Sequence, residues 1–405
     1  MTAILTRRTM LSTGLGTSLG TSLASLAPAW AWAASSATAP KPAPPISLAA
    51  LFPDSGAQGF AGDEAWRGVA LAVAAANRHR AQPINLIRAD ASDPDGTIAR
   101  LAKTAPPAAL LGTMSSAKSF AATAAAELAN IPYVELDAPA DAITSRGFKM
   151  LIRTGLTTAD LAAAAAAAIT GQIAPAWRKP VTGLRIALLF DDGASDGAFA
   201  AAMLGIAQRG KLPILLTMGY DTNTMDLASE VGRMKRAKID LLVHAGRIEH
   251  VLLLYEAMTI AAWRPRMIIG TGPGYGLSAA GAALGRAIEN TMVVDAPLYA
   301  ATGPSDAIAQ AYRRQYAISP RGSASLTTYV GTSLVLASLQ PGKSLITTLT
   351  ATRLKRGTLA NGWGAAFGAN GQNRNSFATL QQWRNGRLIT IDTTVSGAAK
   401  PVFSL

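Results

Sequence analysis

Ala108-Ala109-Leu110-Leu111-Gly112-Thr113-Met114-Ser115-Ser116 is the stretch from which the fold is read. Its four apolar residues make a short buried strand, Gly112 stops it, and the spacing predicts a helix over 119–129. A strand that ends in Gly-x-x-Ser-Ser and enters a helix is the joint of an α/β unit. It presents free backbone N–H groups and two hydroxyls, a seat suited to a carboxylate. Serine is also a preferred helix N-cap, and both roles can share the same atoms.

The same unit recurs on either side. The pattern predicts strands over 46–52, 84–89 and 132–136, with helices over 64–75 and 97–104. The first strand stops at the turn cluster Pro53-Asp54-Ser55-Gly56. After Arg153-Thr154 the cycle restarts with an alanine-rich helix over 160–169. Strands over 185–190, 213–217, 240–244 and 266–269 then alternate with helices over 197–209, 227–237 and 250–261, and a glycine-rich loop spans 270–276. The expected fold class is α/β, with two doubly wound parallel-sheet lobes. Ligands in such sheets sit beyond the carboxyl ends of strands, so the cleft between the lobes is the expected site.

Composition narrows the chemistry. The 405 residues include no cysteine, which removes disulfides, thiolate metal sites, a catalytic cysteine and a lipid-modified cysteine. Three histidines, His79, His244 and His250, argue against a dedicated zinc site, and no cofactor is expected. The formal net charge of +13 is scattered without a run of five basic residues, so no nucleic-acid partner is expected. The basic balance suits solubility, attraction to anionic surfaces or anionic ligands.

The N-terminus reads as an export signal. Arg7-Arg8 precede a Gly/Ser/Thr-diluted apolar stretch, and no acidic residue occurs before Asp54. Ala29-Trp30-Ala31 and Ala31-Trp32-Ala33 both fit the small-x-small cleavage rule. We read residues 1–33 as a twin-arginine signal peptide cleaved near Ala31 or Ala33, which delivers the protein to the periplasm. The alternative is an uncleaved membrane anchor. Residues 34–45 read as a disordered Ser/Ala/Pro/Lys tether. About 360 residues remain, more than one core accommodates.

In its order of motifs the chain resembles the type I periplasmic binding proteins of the leucine/isoleucine/valine-binding family, which feed ABC transporters. Pro53-Asp54-Ser55-Gly56 is similar to the family's proline-x-serine-glycine loop and Gly59-Phe60-Ala61-Gly62 to its aromatic-glycine segment. Gly112-Thr113-Met114-Ser115-Ser116 is similar to the loop that holds a ligand carboxylate. Ile131-Pro132, Arg153-Thr154, Phe367-Gly368-Ala369-Asn370-Gly371 and Gln382-Trp383-Arg384-Asn385-Gly386-Arg387 extend the resemblance to the C-terminus. It implies three hinge crossings, near 153–158, 295–299 and 370–375. The N-terminal lobe would then be 46–155 plus 297–371, and the C-terminal lobe 156–296 plus 372–405. It also implies a small-molecule ligand, an inner-membrane ABC permease as partner, a monomer, and no enzymatic activity.

Ser55, Phe60, Ser115, Ser116, Asp137, Ala138, Ser195, Arg247, Glu249 and Tyr275 are the candidate ligand-binding residues. Phe60 and Tyr275 would wall the cleft from opposite lobes, and Arg247 would meet an anion. His244, closing an apolar strand, reads as a core histidine. Three departures from the family pattern bear on the ligand. Thr157 or Thr158 stands where the amino-acid binders carry an ammonium-binding acid. Pro139, in Asp137-Ala138-Pro139, lacks an N–H. Ala194-Ser195-Asp196-Gly197 replaces a tyrosine-glycine. Glu249, Asp137 or Glu135 could supply charge instead. The expected ligand is amino acid-like, aromatic or carboxylic.

Two rival readings remain. Gly193-Ala194-Ser195-Asp196-Gly197 matches the G-x-S-x-G of a serine hydrolase using Ser195, but His244 and His250 lie far from the domain end where that fold places its histidine. The same fold also serves periplasmic regulators and envelope-assembly proteins. Gly270-Thr271-Gly272-Pro273-Gly274 lacks the Lys-Ser/Thr of a phosphate loop.

Overall fold

The computed structural model describes residues 44–392, 395 and 397–403. The expected signal over 1–33 and positions 34–43 of the expected tether lie outside the described residues. Strands β1 (Ile46–Leu51), β2 (Ile84–Ala89), β3 (Ala109–Gly112), β4 (Tyr133–Glu135) and β5 (Leu151–Arg153) form a parallel sheet in the order β2-β1-β3-β4-β5. A parallel sheet is covered on both faces, and β1 is apolar on both. Leu48, Ala50 and Phe52 enter one core cluster, and Ala49 and Leu51 the other. On the first face the Gly59–Asn77 helix crosses the Ala324–Ser338 helix at Gly68, where a Cβ would stand 2.1 Å from the Ser325 carbonyl oxygen.

The second sheet is built from β6 (Ile186–Asp191), β7 (Ile214–Tyr220), β8 (Leu241–Ala245), β9 (Met267–Thr271) and β10 (Met292–Asp295), all parallel. A short antiparallel pair, β11 (Arg353–Leu354) with β12 (Ala365–Ala366), comes next in the chain. β13 (Thr379–Arg384) and β14 (Arg387–Thr390) then extend the second sheet antiparallel, giving β14-β13-β10-β9-β8-β6-β7. Their hairpin turns on Asn385-Gly386, with φ of 52° and 70° at the two residues; this left-handed pair is the turn that Asn-Gly favours. Ile186 and Leu188 pack against Phe199, Met203 and the alanine-rich Thr158–Ala168 helix, while Ala187 and Leu189 pack against Val251, Leu254 and Trp383.

The chain passes between the two sheets three times. β5 is followed by the Thr158–Ala168 helix in the second core; β10 is followed by the Pro304–Tyr316 helix, which packs at Ile308 and Tyr312 against Leu71 of the Gly59–Asn77 helix on the first sheet; and Phe367, still in the first core, precedes β13.

Six helices begin earlier than their hydrophobic spacing suggests. The first starts at Gly59 rather than 64, because glycine lets it lie on the preceding turn: a Cβ on Gly62 would sit 1.9 Å from the Pro53 oxygen. The Ala194–Gly210 helix starts three residues before 197, which puts Ser195 and Asp196 in its first turn. The stretch read as a loop over 270–276 instead holds the end of β9 and a helical turn, Pro273–Gly276, with Pro273 in the first turn where its fixed φ suits a helix.

Candidate functional site

Residues at the carboxyl ends of both sheets enclose one cavity of about 110 Å³. At roughly 10–15 Å³ for each water-sized position, it holds on the order of ten non-hydrogen atoms. Its wall in the first sheet is organised by Glu135, fully buried at the end of β4. Oε2 accepts hydrogen bonds from the Thr113 N–H (2.8 Å), Ser119 Oγ (2.6 Å) and Tyr133 OH (3.3 Å). Oε1 accepts from the N–H groups of Met114 (3.4 Å), Leu136 (3.1 Å), Asp137 (3.1 Å) and Ala138 (2.9 Å). One carboxylate therefore ties the loop after β3 to the loop after β4. Burial pushes its pKa up against those hydrogen bonds.

Ser115 and Ser116 line the cavity at the start of the Ser116–Leu128 helix. Ser115 is 6% exposed and its hydroxyl has no hydrogen-bond partner among the described residues, while Ser116 Oγ accepts from the Ala140 N–H at 3.2 Å. Asp137 also lines the cavity. Burial first, then the charges of Asp295 and Glu135, raises its carboxyl well above the usual range. Arg153, fully buried, holds this wall to the hinge. Its guanidinium donates to the Ala140 carbonyl (2.7 Å), the Ala138 carbonyl (3.3 Å) and Gln372 Oε1.

The second sheet contributes Ser195 and Asp196 after β6, Arg247 after β8 and Asp295 at the end of β10. Asp191, buried at the end of β6, accepts from the Gly193 N–H at 2.7 Å and faces His250 Nδ1 at 3.0 Å and Arg247 Nε at 3.4 Å. Burial acts against its charge, but the His250 and Gly193 hydrogen bonds outweigh that and lower its pKa. Arg247 also donates to the Thr222 carbonyl, so its charge is already engaged. Asp196 is 9% exposed and its carboxylate has no such partner; burial, then repulsion from Asp191, lifts it to about 7. Asp295 accepts from Ser323 Oγ (2.8 Å) and the Ala296 N–H (2.7 Å), yet burial still lifts it to about 6. Leu156, Leu161, Phe199 and Leu277 form the apolar part of the wall.

Ser115, Ser116, Asp137, Ser195 and Arg247 are thus brought together, and five other candidates lie off the cavity. Tyr275 is fully buried in the core of the second sheet. Its hydroxyl lies 2.6 Å from His244 Nδ1, and its ring covers Gly270, where a Cβ would be 2.2 Å from Tyr275 Cγ. Phe60 is 46% exposed and stacks under Arg321, whose guanidinium carbon is 4.2 Å from the ring centre. Ser55 is exposed ahead of a single 3₁₀ turn. Ala138 is buried and spends its N–H on Glu135 and its carbonyl on Arg153. Glu249 is exposed in the first turn of the Ile248–Ile260 helix. Glu135, an alternative source of charge for a ligand, has both oxygens occupied within the loops it ties together.

Thr157 forms a capping box with Asp160, and Thr158 donates its hydroxyl to Asp141. Both therefore serve the hinge helix, although Thr158 also touches the cavity. His244 is buried between Tyr220 OH (2.8 Å from Nε2) and Tyr275 OH, and burial holds its pKa near 3, so it is neutral. Ser195 makes no hydrogen bond to a histidine among the described residues, so the base that the hydrolase reading requires is not assembled at this serine. Sequence reasoning did not select Asp196, Asp295 or Ser323. Asp196 was inside a quoted motif, but Ser323 meets Asp295 only through a contact 28 residues away in the chain.

A family model described as "Periplasmic binding protein" matches residues 45–387. The chain belongs to this family. Among its relatives, the Leu/Ile/Val-binding protein homolog 8 of Brucella abortus is 30% identical over 374 residues, covering 88% of this chain and 93% of the relative. Homolog 7 of Brucella suis is 31% identical over 362 residues, covering 85% and 91%. The fold is similar to that of the branched-chain amino acid transporter substrate-binding protein LivJ from Streptococcus pneumoniae, solved with isoleucine, at a TM-score of 0.73 and 19% identity over 85% of this chain and 97% of that one. It is also similar to a solute-binding protein of an ABC transporter from R. palustris solved with benzoate, at a TM-score of 0.72 and 17% identity over 88% and 99%. The two sheets are the two lobes of the type I periplasmic binding protein fold.

Proposed function

We propose that this periplasmic binding protein is the solute-binding component of an ABC-type uptake system. It captures a small organic ligand, amino acid-like, aromatic or carboxylic, between its lobes and presents the closed form to an inner-membrane permease. The observation that carries this reading is the enclosed cavity of about 110 Å³, with hydroxyls and carboxylates on part of its wall and leucine and phenylalanine on the rest. Such a cavity orients a ligand through few polar groups and gains affinity from apolar contact. The Ser115 hydroxyl and the first turn of the Ser116–Leu128 helix are suited to a ligand carboxylate. The isoleucine of LivJ and the benzoate of the R. palustris protein fall within the same range of ligand size.

The working lobes are 46–155 plus 297–371 and 156–296 plus 372–405, hinged where Arg153 and Gln372 meet. The protein is exported by the twin-arginine route, cleaved near Ala31 or Ala33, and acts as a soluble monomer. Thermal unfolding of the mature chain against a metabolite panel tests the reading. A ligand at 100 times its Kd stabilises the folded state by about 2.7 kcal/mol. A saturable rise in Tm is expected. If amino acids, amines, aromatic acids and dicarboxylates all leave Tm unchanged, solute capture is wrong.

A further inference from the structure

We infer that the ligand is a small organic cation, with at least one more positive than negative charge, carried by an ammonium or guanidinium group. This rests on the solute-binding reading above. Three carboxylates converge on the cavity from different elements: Asp137 after β4, Asp196 in the first turn of the Ala194–Gly210 helix, and Asp295 at the end of β10. Asp137 and Asp196 accept no hydrogen bond at their carboxylates among the described residues. Two polar side chains more than nine-tenths buried, those of Ser115 and Asp196, line the cavity unpartnered.

The compensating charge is missing from the wall. Among the described lining residues the cationic side chain is Arg247, and it is paired with Asp191. The helix N-termini at Ser116 and Ala194 add about half a charge each, less than the three carboxylates. A zwitterion such as leucine adds no net charge, and benzoate adds another negative one in a site shielded from water. Uncompensated buried charge is costly, whereas a cation brings the sum toward neutrality. The raised pKa values of Asp137, Asp196 and Asp295 agree, since burial, joined by repulsion at Asp137 and Asp196, already pushes them toward protonation in the unliganded protein. A bare metal ion does not fit: no three acidic or histidine side chains among the described residues stand close enough to hold one. The volume and the Leu161–Phe199 wall suit a short methylene stem.

The cation could be a diamino acid, whose carboxylate would use Ser115 and Ser116, or an amine without a carboxylate. Isothermal titration at pH 8 with ornithine and arginine, and separately with putrescine and agmatine, distinguishes the two. Leucine and benzoate are the counter-probes. At least one cation is expected to bind, and Asp196→Asn is expected to weaken it tenfold or more while the variant still unfolds cooperatively. Asp295→Asn provides the same test from the other side. Binding of leucine or benzoate without any cation would overturn this inference and leave solute capture standing. Silence of every probe would overturn both. Cation binding unchanged in both variants would also overturn the inference.

Discussion

Replacing Glu135 with glutamine is nearly isosteric and puts an amide where the structure requires two acceptors. If the amide nitrogen takes the Oε1 position, four backbone N–H groups, of Met114, Leu136, Asp137 and Ala138, face a donor. If it takes the Oε2 position, the Ser119 and Tyr133 hydroxyls can rotate to accept, and the Thr113 N–H alone is stranded. The second arrangement is the one the variant adopts. One buried unsatisfied donor costs about 1–3 kcal/mol, and the surviving hydrogen bonds lose their charge assistance. Relief of burying a charge returns part of that loss. The net expectation for Glu135→Gln is a destabilisation of about 2–3 kcal/mol. Glu135→Ala strands several donors and should cost more than about 4 kcal/mol. Urea denaturation of both variants measures the difference, and ligand titration should weaken because the loops that Glu135 ties together carry Ser115 and Asp137. A Glu135→Gln protein within 0.5 kcal/mol of wild type, with unchanged binding, would refute the view that this carboxylate builds the wall.

Asp196 at about 7 and Asp295 at about 6 both lie above the ordinary 3.8, so the folded state holds extra protons between those values. The resulting stability is present below pH 4 and lost as pH rises through 6 and 7. The unliganded protein should therefore melt lower at pH 8 than at pH 5, with about 3 kcal/mol from Asp196 over that span, and Asp196→Asn should flatten the profile; a Tm that climbs from pH 5 to 8 would contradict this. Gly68→Ala forces a Cβ to 2.1 Å from the Ser325 oxygen, a backbone atom, and should cost about 1–3 kcal/mol in urea despite alanine's better helix propensity. His244→Leu leaves the Tyr220 and Tyr275 hydroxyls without their shared imidazole and should lower stability by about 2–4 kcal/mol, while a neutral result would show that water replaces it.

The strands and their carboxyl ends were legible because short apolar runs closed by glycine, proline or aspartate are local signals. Ser115 and Ser116 could be selected for the same reason, since strand, stop and cap are contiguous. Asp196 was hidden by a boundary: apolar spacing begins at Gly197, yet the helix starts at Ala194 and turns the Asp196 side chain into the cavity. Tyr275 was misplaced because a residue in a glycine-rich loop reads as exposed, whereas the turn Pro273–Gly276 buries its ring over Gly270. Phe60 fits a wall by residue type, but its position on the Gly59–Asn77 helix directs it outward beneath Arg321. The pairing of Asp295 with Ser323, like the seven donors around Glu135, depends on contacts between distant segments that no local pattern encodes.

The cavity between the lobes is assigned to a small organic molecule. A crystal structure of the protein, grown with the tightest binder from the amine and amino-acid panel, tests this assignment most directly. Density for that molecule is expected between the two sheets, in contact with Ser115 on one side and with Asp196 and Asp295 on the other. A ligand bound outside this cavity, or a closed cavity holding only water at saturating ligand, would contradict it.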